Sequence, residues 1–436
     1  MEPVVILGLG VSGLGCAVEL TRRKLPFIAF EKEDRAGGLA KTEGACGFWF
    51  DHSPHILQKI PAELEELFRD LEGLDLAICS GRSGIALDTR LECVVPAPFQ
   101  RHLSHLPLQT RARLLFEILR DKCRGATQPA NYAEYATARC GRGVYDLFLR
   151  GYDAKRLRFP LEQIPADWTS RLERTSLASL IKSRGTGTES EAGHRESRFF
   201  YPLSGGIETL PKAMARLLPE NTTLYGREAV EIRPDAKLVA FANGESVRYE
   251  HLVSSLALPE TVALIRDAPP EVRSAAQDFL FTSIYILNAG IHGPVPPWTL
   301  LRIPNGEVGF YRVSFPSQYA AGCVPEGHEM VVGEISHHPT RYPLSSCEAR
   351  QQFRDGLERL GILQKGQKTV FESIRNIRYG HVLYNHATRA SIRLVLEYLR
   401  ARSIFPCGKY GLWKDMLIPQ SILTGIEAAR EITARS

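Results

Sequence analysis

Length, composition and charge limit the kind of protein that this chain can be. It has 436 residues, 44% of them hydrophobic and 24% charged, with a formal net charge of +5. These values favour a globular chain of more than one domain and exclude a disordered or collagen-like protein. They also lack the concentrated basic stripe of a nucleic-acid-binding protein, so no nucleic-acid partner is expected.

The hydropathy pattern and the cysteines further limit the cellular location that the sequence predicts. No apolar run approaches the roughly 20 residues needed to cross a bilayer. Glycines interrupt the apolar opening Val4–Leu9, so we expect neither a signal peptide nor a membrane span. The nine cysteines are scattered without a CxxC pair, which favours reduced thiols in a cytoplasmic protein and argues against a disulfide framework or a metal site.

The first segment has the order that a dinucleotide site requires. The apolar run Val4–Leu7 predicts a buried strand, and Leu14–Arg23 predicts a helix. Between them lies a GxGxxG turn formed by Gly8, Gly10 and Gly13. In such a turn the first glycine permits the tight bend, the second lets the backbone approach a pyrophosphate, and the third lets helix and strand pack closely. The helix N-terminus then offers unpaired N–H groups to the phosphates.

The second strand ends in a carboxylate at the expected distance. Phe27–Phe30 predicts that strand, and Glu31 follows it where a ribose-binding acid is expected. NAD-binding and FAD-binding proteins share this arrangement, so the residues after Glu31 must indicate which of the two cofactors binds. An acid, an arginine and a glycine pair resemble the FAD-binding signature of the amine oxidase superfamily; these candidate FAD residues are Glu31, Lys32, Arg35, Gly37, Gly38 and Leu39. A glycine loop without a ligand is the alternative.

The rest of the chain alternates between helical and strand-like segments. Residues 100–183 have helical spacing of leucine, arginine and glutamate, and the polar stretch Gly185–Ser190 predicts a loop that could act as a connector or a lid. Leu224–Ile232, Leu238–Phe241 and Leu252–Leu256 predict strands that rejoin the dinucleotide sheet. Phe279–Ile291 and Val308–Phe315 alternate like strands of a half-buried antiparallel sheet, and Ser346–Leu360 and Ile418–Arg435 predict helices.

Several separated segments resemble UDP-galactopyranose mutases, particularly the fungal type, within the amine oxidase and protoporphyrinogen oxidase superfamily. They lie in family order along nearly the whole chain, and they are Pro96–Gln100, Gly143–Phe148 with Phe159, Pro160 and Trp168, Tyr201–Gly206, Gly309–Arg312 and Gly408–Lys414.

This resemblance implies an α/β fold in three parts. A discontinuous, Rossmann-type FAD-binding domain of the GR2 type is expected at residues 1–76, 195–265 and 370–436. A mainly helical insertion is expected at 77–194, and an antiparallel β-sheet substrate domain at 266–369.

The resemblance also implies further cofactor contacts. Val230 stands where a backbone group meets the adenine, and Lys409 stands where the family usually has an arginine near the cofactor. Leu417 to Ser421 would bring backbone N–H groups and a helix N-terminus to the flavin, where the helix dipole favours negative charge on the reduced ring.

The implied mutase activity has no net redox change: the sugar ring opens at the reduced flavin and closes at a different size. Such a site needs positive charge for a pyrophosphate and little acid–base machinery. Arg312 fits this need as an anion-binding residue. Arg171 is a second candidate, with Arg174 as its rival by spacing. Tyr384 matches a substrate tyrosine of the family.

Three features depart from the family pattern close to the expected site. His55 is retained from a Gly-Gly-His turn, but Ser53 and Pro54 replace the glycines, and Pro54 removes a backbone donor. Asp415 falls where a family tyrosine contacts the pyrophosphate, and an ionised carboxylate there would repel a diphosphate by about 1 kcal/mol even in water. Arg302 falls on another family tyrosine and could restore anion binding elsewhere.

Two functions therefore compete. The first is an FAD enzyme of the mutase type acting on a nucleotide-linked or other polar sugar, favoured by Arg302, Arg312 and Tyr384. The second is an FAD oxidoreductase that oxidises a small molecule by hydride transfer, favoured by Pro54 and Asp415. A flavin-bound scaffold without activity is a weaker third option. A small-molecule substrate that could be anionic, reduction by NAD(P)H or another reductant, and assembly into a homo-oligomer are all compatible with the sequence.

Overall fold

The computed structural model describes residues 2–122, 128–168, 172–175, 177–181 and 197–435. The candidate Arg171 and the predicted loop Gly185–Ser190 lie outside these residues. In chain order the strands are β1 (Val4–Leu7), β2 (Phe27–Phe30), β3 (Thr42–Ala45), β4 (Phe48–Asp51), β5 (Leu76–Gly81), β6 (Ser83–Ala86), β7 (Val94–Pro96), β8 (Ser197–Pro202), β9 (Thr223–Leu224), β10 (Ala229–Arg233), β11 (Leu238–Phe241), β12 (Ser246–Arg248), β13 (Leu252–Ser254), β14 (Leu280–His292), β15 (Leu300–Arg302), β16 (Arg312–Ser314), β17 (His328–His337), β18 (Phe371–Leu383) and β19 (Ile404–Pro406).

Helices connect and cover these strands. They are α1 (Val11–Arg22), α2 (Ala62–Asp70), α3 (Leu108–Lys122), α4 (Tyr132–Cys140), α5 (Arg142–Val144), α6 (Arg150–Leu157), α7 (Leu177–Ile181), α8 (Thr209–Arg216), α9 (Leu258–Leu264), α10 (Pro270–Gln277), α11 (Ser346–Arg359), α12 (His386–Arg400), α13 (Gly408–Gly411) and α14 (Ile418–Arg435). Within the described ranges, none of the helices is long and apolar enough to cross a bilayer.

A five-stranded parallel sheet in the order β19-β13-β1-β2-β9 carries the glycine turn. All four residues of β1 are buried, because the sheet has a core on each face. Val4 and Ile6 pack with α1 and α14, whereas Val5 and Leu7 pack on the opposite side. This two-sided burial explains why β1 is a continuous apolar run rather than an alternating one.

Helices α1 and α14 pack backbone against backbone. A Cβ atom on Gly15 would lie 2.5 Å from the carbonyl oxygen of Ile422, and one on Gly425 would lie 1.9 Å from that of Ser12. Only glycine allows such an approach. The last helix is thereby fixed to the helix that follows the glycine turn.

A second sheet has seven strands in the order β18-β14-β17-β16-β15-β6-β7. One face packs Leu287, Leu301 and Val313 against Phe353 of α11 in an apolar core. The residues that alternate with them point to the other face, because successive side chains of a strand point to opposite faces. That second face carries the charged side chains described below.

The structure corrects three expectations about how segments are assigned. β9 and β13 join the dinucleotide sheet as expected. β10 and β11 do not join it but form a separate antiparallel sheet with β12, because connections of only a few residues allow hairpins and not parallel crossovers. β6 and β7, expected in the helical insertion, pair instead with the seven-stranded sheet. β18, expected in the FAD-binding domain, pairs with β14 in that same sheet. Apart from these reassigned strands, we propose the three domains that the sequence predicts: the FAD-binding domain, the mainly helical insertion and the antiparallel-sheet substrate domain.

Candidate active site

The glycine turn is built as its spacing predicts. Gly8 has φ +88°, and a Cβ atom there would lie 2.4 Å from Ser255 Oγ. A Cβ on Gly13 would lie 2.0 Å from the carbonyl oxygen of Gly8. Both glycines are therefore required by the protein's own packing.

Gly10 differs from the other two glycines of the turn. The atom nearest to a Cβ placed on Gly10 is Gly38 Cα, 3.9 Å away. Gly10 is also the N-cap of α1 and supplies no side-chain hydrogen bond to the first turn. Here the fold leaves open space next to free helix N–H groups, as a phosphate would need.

Glu31 is fixed beside this turn. Its Oε2 accepts a hydrogen bond from the Leu9 N–H at 2.7 Å, and its Oε1 accepts one from the Glu33 N–H at 3.0 Å. The carboxylate is buried at the end of β2, whereas its neighbour Lys32 is exposed. The acid therefore lies where the sequence predicted a ribose-binding group.

The glycine pair after β2 lies directly on the glycine turn. The Gly37 N–H donates to the carbonyl of Leu9 at 2.8 Å, and Gly37 bridges Gly10. A Cβ on Gly38 would lie 3.1 Å from Gly10 Cα. The two glycine segments thus form one cradle of main chain.

Arg35 and Leu39 flank this cradle and have partners within the protein. Arg35 Nε donates to Glu208 Oε1 at 2.6 Å, so its charge is held by a buried carboxylate. Leu39 packs beside Phe48 and Phe50. Their contact with a cofactor stays a prediction.

Val230 lies at a β-bulge. The register of β10 and β11 shifts between Ala229 and Glu231, so Val230 has no residue opposite it in β11. Its side chain is 48% exposed. A bulge leaves main-chain hydrogen-bonding groups unpaired, which is what a backbone contact to an adenine requires.

The segment that forms β19 and α13 lies against the start of α1, since a Cβ atom on Gly408 would lie 2.4 Å from Ser12 Oγ. The Gly408 N–H donates to Thr424 Oγ1 at 2.8 Å, which ties α13 to α14. Lys409 Nζ donates to the carbonyl of Gly380 at 3.1 Å and lies 3.5 Å from Asp415 Oδ1. In α14 the Ser421 N–H donates to the carbonyl of Leu417 at 2.9 Å.

Arg302 and Arg312, predicted from separate segments, are cross-strand neighbours. They face each other in the pairing of β15 with β16, and Arg312 faces Glu334 in the pairing of β16 with β17. Residues directly opposite in adjacent strands point to the same face, so the three side chains form one row. This row lies on the face opposite the apolar core.

Arg312 is held by a buried acid. Its Nε donates to Glu334 Oε1 at 2.6 Å, and its Nη2 contacts the same oxygen. Glu334 also accepts a hydrogen bond from the Tyr311 hydroxyl and is 1% exposed. Burial opposes the charge of Arg312, but Glu334 raises its pKa above the ordinary arginine value. Arg312 is therefore a positioned cation whose charge is already neutralised.

Arg302 is different from Arg312 in this respect. Its Nη1 atom is buried without a hydrogen-bond partner among the described residues. Burial lowers its pKa, the charges of Arg312 and Arg156 lower it further, and Tyr152 is its hydrogen-bonding neighbour. A donor that is both charged and unpartnered is costly unless something else binds it.

Two histidines lie among these cations. Burial, reinforced by the charges of Lys409 and Arg312, lowers the pKa of His55 to about 4, and its Nδ1 has no partner within the described part of the chain. Burial and the charges of Arg156, Lys409 and Arg312 lower the pKa of His381 well below its ordinary value. Both imidazoles are therefore neutral near pH 7.

The remaining candidates lie at the edge of this region. Tyr384 packs under the guanidinium of Arg389, 5.0 Å from the ring centre, and Arg389 pairs with Asp167 at 2.6 Å. Asp415, expected to repel an anion, is paired with Lys409, so its charge is compensated. Arg171 lies outside the described residues, and its rival Arg174 is exposed.

Sequence reasoning missed two charged groups of this region. Arg156 of α6 pairs with Asp153 at 3.0 Å and lies over the ring of Trp168. Glu334 partners Arg312. A buried glutamate in the apolar strand β17 was the available signal, because a buried carboxylate needs a cation. We call Arg156, Arg302, Arg312 and Lys409 the cation cluster.

Comparisons with known proteins agree with this architecture. The sequence matches the family model of flavin-containing amine oxidoreductases over residues 11–433. The fold is similar to that of reduced UDP-galactopyranose mutase, with a TM-score of 0.88 at 24% identity, covering 100% of this chain and 96% of that one. It is also similar to a protein from Exiguobacterium sp. 255-15 assigned as a protoporphyrinogen oxidase, with a TM-score of 0.75 at 16% identity and coverage of 100% and 99%. At such identities the likeness shows the fold.

A curated relative matches over a short stretch only. Phytoene desaturase (lycopene-forming) from Pantoea ananas is 35% identical over 68 residues, which is 16% of this chain and 14% of the relative. The match thus spans about a seventh of the length of that relative. The family model covers most of the chain, and the glycine cradle, Glu31 and the bulge at Val230 all fit a dinucleotide. The chain therefore belongs to the flavin-containing amine oxidoreductase family and is an FAD-dependent enzyme.

Proposed function

We propose that this enzyme acts on a nucleotide-linked or other polar sugar in a reaction without net redox change. Reduced FAD, when bound, would supply the electron pair for attack on a sugar carbon. The observation that carries the proposal is the row of Arg302, Arg312 and Glu334 beside two neutral histidines. Such a site has fixed positive charge and little acid–base machinery.

The charge of the site argues against an amine as the substrate. An amine is protonated near neutral pH, and the positive charge of Arg302, which no carboxylate of the described residues compensates, would repel it. The carboxylates nearby are already paired with these cations, so they offer no free acceptor for an ammonium group. A neutral or anionic sugar fits this electrostatic setting better.

The residues would act mainly by binding and orientation. Arg302 and Arg312 would hold polar oxygens on the face of the seven-stranded sheet. Glu334 keeps the guanidinium of Arg312 in one orientation through two contacts, which limits the entropy lost on binding. His55 and His381, neutral near pH 7, can each donate or accept one hydrogen bond without adding charge.

Hydride transfer from a small molecule is the second candidate function. It is supported by Asp415, which places a carboxylate where a diphosphate contact was expected. The pairing of Asp415 with Lys409 compensates the charge of the carboxylate, which weakens this argument. The same pairing also engages Lys409, so this lysine is not a free cation for a diphosphate.

One experiment separates the two functions. The purified holoenzyme would be reduced without oxygen and mixed with nucleotide sugars and with other polar sugars, including sugar acids and sugar phosphates, while the flavin absorbance and the sugar products are followed. We expect isomerised sugar to accumulate while the flavin stays reduced. If a substrate instead bleaches oxidised flavin and oxygen restores the colour, the enzyme is an oxidoreductase and the proposal fails.

The double variant Arg312→Gln/Glu334→Gln tests whether the row contributes. It removes a cation and its carboxylate together, so no buried charge is left unpaired. We expect a loss of about tenfold or more in kcat/KM with the flavin content unchanged. Unchanged kinetics would remove Arg312 from the site.

Other properties are part of the proposal rather than of the structure. A nucleotide sugar as substrate, NAD(P)H or another reductant, a homo-oligomer and a cytoplasmic location each stay predictions. The location is supported by the cysteines, since none of the eight within the described ranges forms a disulfide.

A further inference from the structure

Three of the four cations in the cluster have a carboxylate partner. Arg156 pairs with Asp153 at 3.0 Å, Arg312 with Glu334 at 2.6 Å, and Lys409 with Asp415 at 3.5 Å. Among the residues that the structure describes, Arg302 forms no ion pair with a carboxylate. The uncompensated positive charge of the cluster is therefore centred on Arg302.

The surroundings of Arg302 favour an anion over a neutral ligand. Its neighbours across the sheet are Ile85 on one side and Arg312 on the other, an apolar group and a like charge. Tyr152 is a hydrogen-bonding neighbour, but the buried Nη1 has no partner in the described ranges. A guanidinium in such a position is stabilised most by a ligand that brings charge and accepts parallel N–H bonds.

The number of cations that are not already compensated limits the size of the anion. A diphosphate has two linked phosphate groups and is usually held by more than one cation. Within the described residues, Asp153, Glu334 and Asp415 already pair with three cations of the cluster, and Arg302 is the one without a carboxylate partner. One such guanidinium fits one oxyanion group.

We propose that the substrate carries a single compact oxyanion, a carboxylate or a phosphate monoester, and that Arg302 binds it. This inference rests on the proposed function, because it names the kind of polar sugar that the site takes. It places the anion beside β15 and Tyr152, away from Asp415. Sugar acids and sugar phosphates share this chemistry, and the experiment distinguishes them.

The test measures ligand binding to the oxidised holoenzyme through the change in the flavin spectrum. The probes are glucuronate, galactose 1-phosphate, UDP and uncharged galactose. We expect one of the first two to bind about tenfold or more tightly than galactose and more tightly than UDP. Preference for glucuronate assigns a carboxylate, and preference for galactose 1-phosphate assigns a phosphate monoester.

Variants show whether Arg302 is responsible. Arg302→Gln should lose about tenfold or more in affinity for the preferred probe, and Arg302→Lys should retain part of it because the charge stays while the planar fork is lost. Arg158→Gln is the matched control. Arg158 is a partly buried arginine whose Nε donates to the Ser336 carbonyl at 3.1 Å and which lies outside the cluster.

Two results would overturn the inference. One is unchanged binding of every anionic probe in Arg302→Gln with normal flavin content, and the other is preferential binding of UDP that is independent of Arg302. Either could occur while sugar isomerisation is still observed, in which case the proposed function survives. Binding of a single-oxyanion probe through Arg302, without isomerisation of any sugar, would support this inference and reject the proposed function.

Discussion

The two ends of the candidate site are built in different ways. The glycine cradle consists of main chain from Gly8 to Gly38, and its shape follows from the absence of side chains. The cation cluster consists of long side chains from α6, β15, β16 and α13, and three of these four side chains are paired with carboxylates. The first end is a local property of the sequence, whereas the second exists only after distant strands have paired.

The largest expected effect tests the cradle. In Gly13→Val even the Cβ would meet the carbonyl oxygen of Gly8 at 2.0 Å, so we expect a loss of about 5 kcal/mol in the free energy of unfolding. Urea unfolding of the apoprotein would measure it.

Gly10→Ala is the matched control for that change. Its Cβ has no atom within 3.9 Å, so the apoprotein should lose less than about 1 kcal/mol, while FAD binding is abolished or strongly weakened. An apoprotein as unstable as Gly13→Val would show that Gly10 serves packing and not the cofactor.

A smaller effect is expected at the cluster. Glu334→Gln would leave Arg312 as a buried cation without its carboxylate, at a cost of about 3 kcal/mol in the free energy of unfolding. The control Glu307→Gln breaks the exposed pair with Arg359 and should cost less than about 0.5 kcal/mol. Equal costs for the two variants would mean that burial does not strengthen the pair. Denaturant unfolding of the holoenzyme provides the comparison.

The smallest effect concerns pH. Because the folded pKa of His55, about 4, lies below the ordinary value of 6.5, its contribution to stability is complete above pH 6.5 and is lost as the pH falls towards 4. Partial solvent access reduces the size to about 1 to 2 kcal/mol. His55→Gln should flatten the pH dependence of unfolding in this range by that amount.

The exposed histidine of α12 is the control for the pH experiment. His386→Gln should leave the pH dependence as it is in the unmodified protein. A slope between pH 6.5 and 4 that is the same in His55→Gln and in the unmodified protein would rule out His55 as its source.

The sequence predicted the cradle because each part is a local signal. Strand β1, the glycines and Glu31 occur within about thirty residues, and their spacing alone determines their geometry. The same reasoning misplaced β10 and β11. Their composition indicates strands but does not name their partners, and only the short connection between them indicates a hairpin.

The cluster was predictable only in part for the same reason. The resemblance to the mutases indicated that Arg312 binds an anion and that Arg302 replaces a family tyrosine. That the two arginines lie opposite each other depends on the register of β15 with β16. Glu334, which pairs with Arg312, and Arg156, a like charge close to Arg302, come from other segments, and no local pattern connects them to the two arginines. Long-range pairing therefore decides which cation is left free.

The close packing of α1 on α14 has a consequence for synthesis of the protein. Gly15 and Gly425, which allow that packing, are 410 residues apart. During translation α1 lacks α14 as a packing partner until nearly all of the described chain has emerged. The apolar surface of α1 that α14 covers stays exposed for that time. Chaperone dependence of the nascent chain, and cofactor loading that follows the release of α14 from the ribosome, are the expected results.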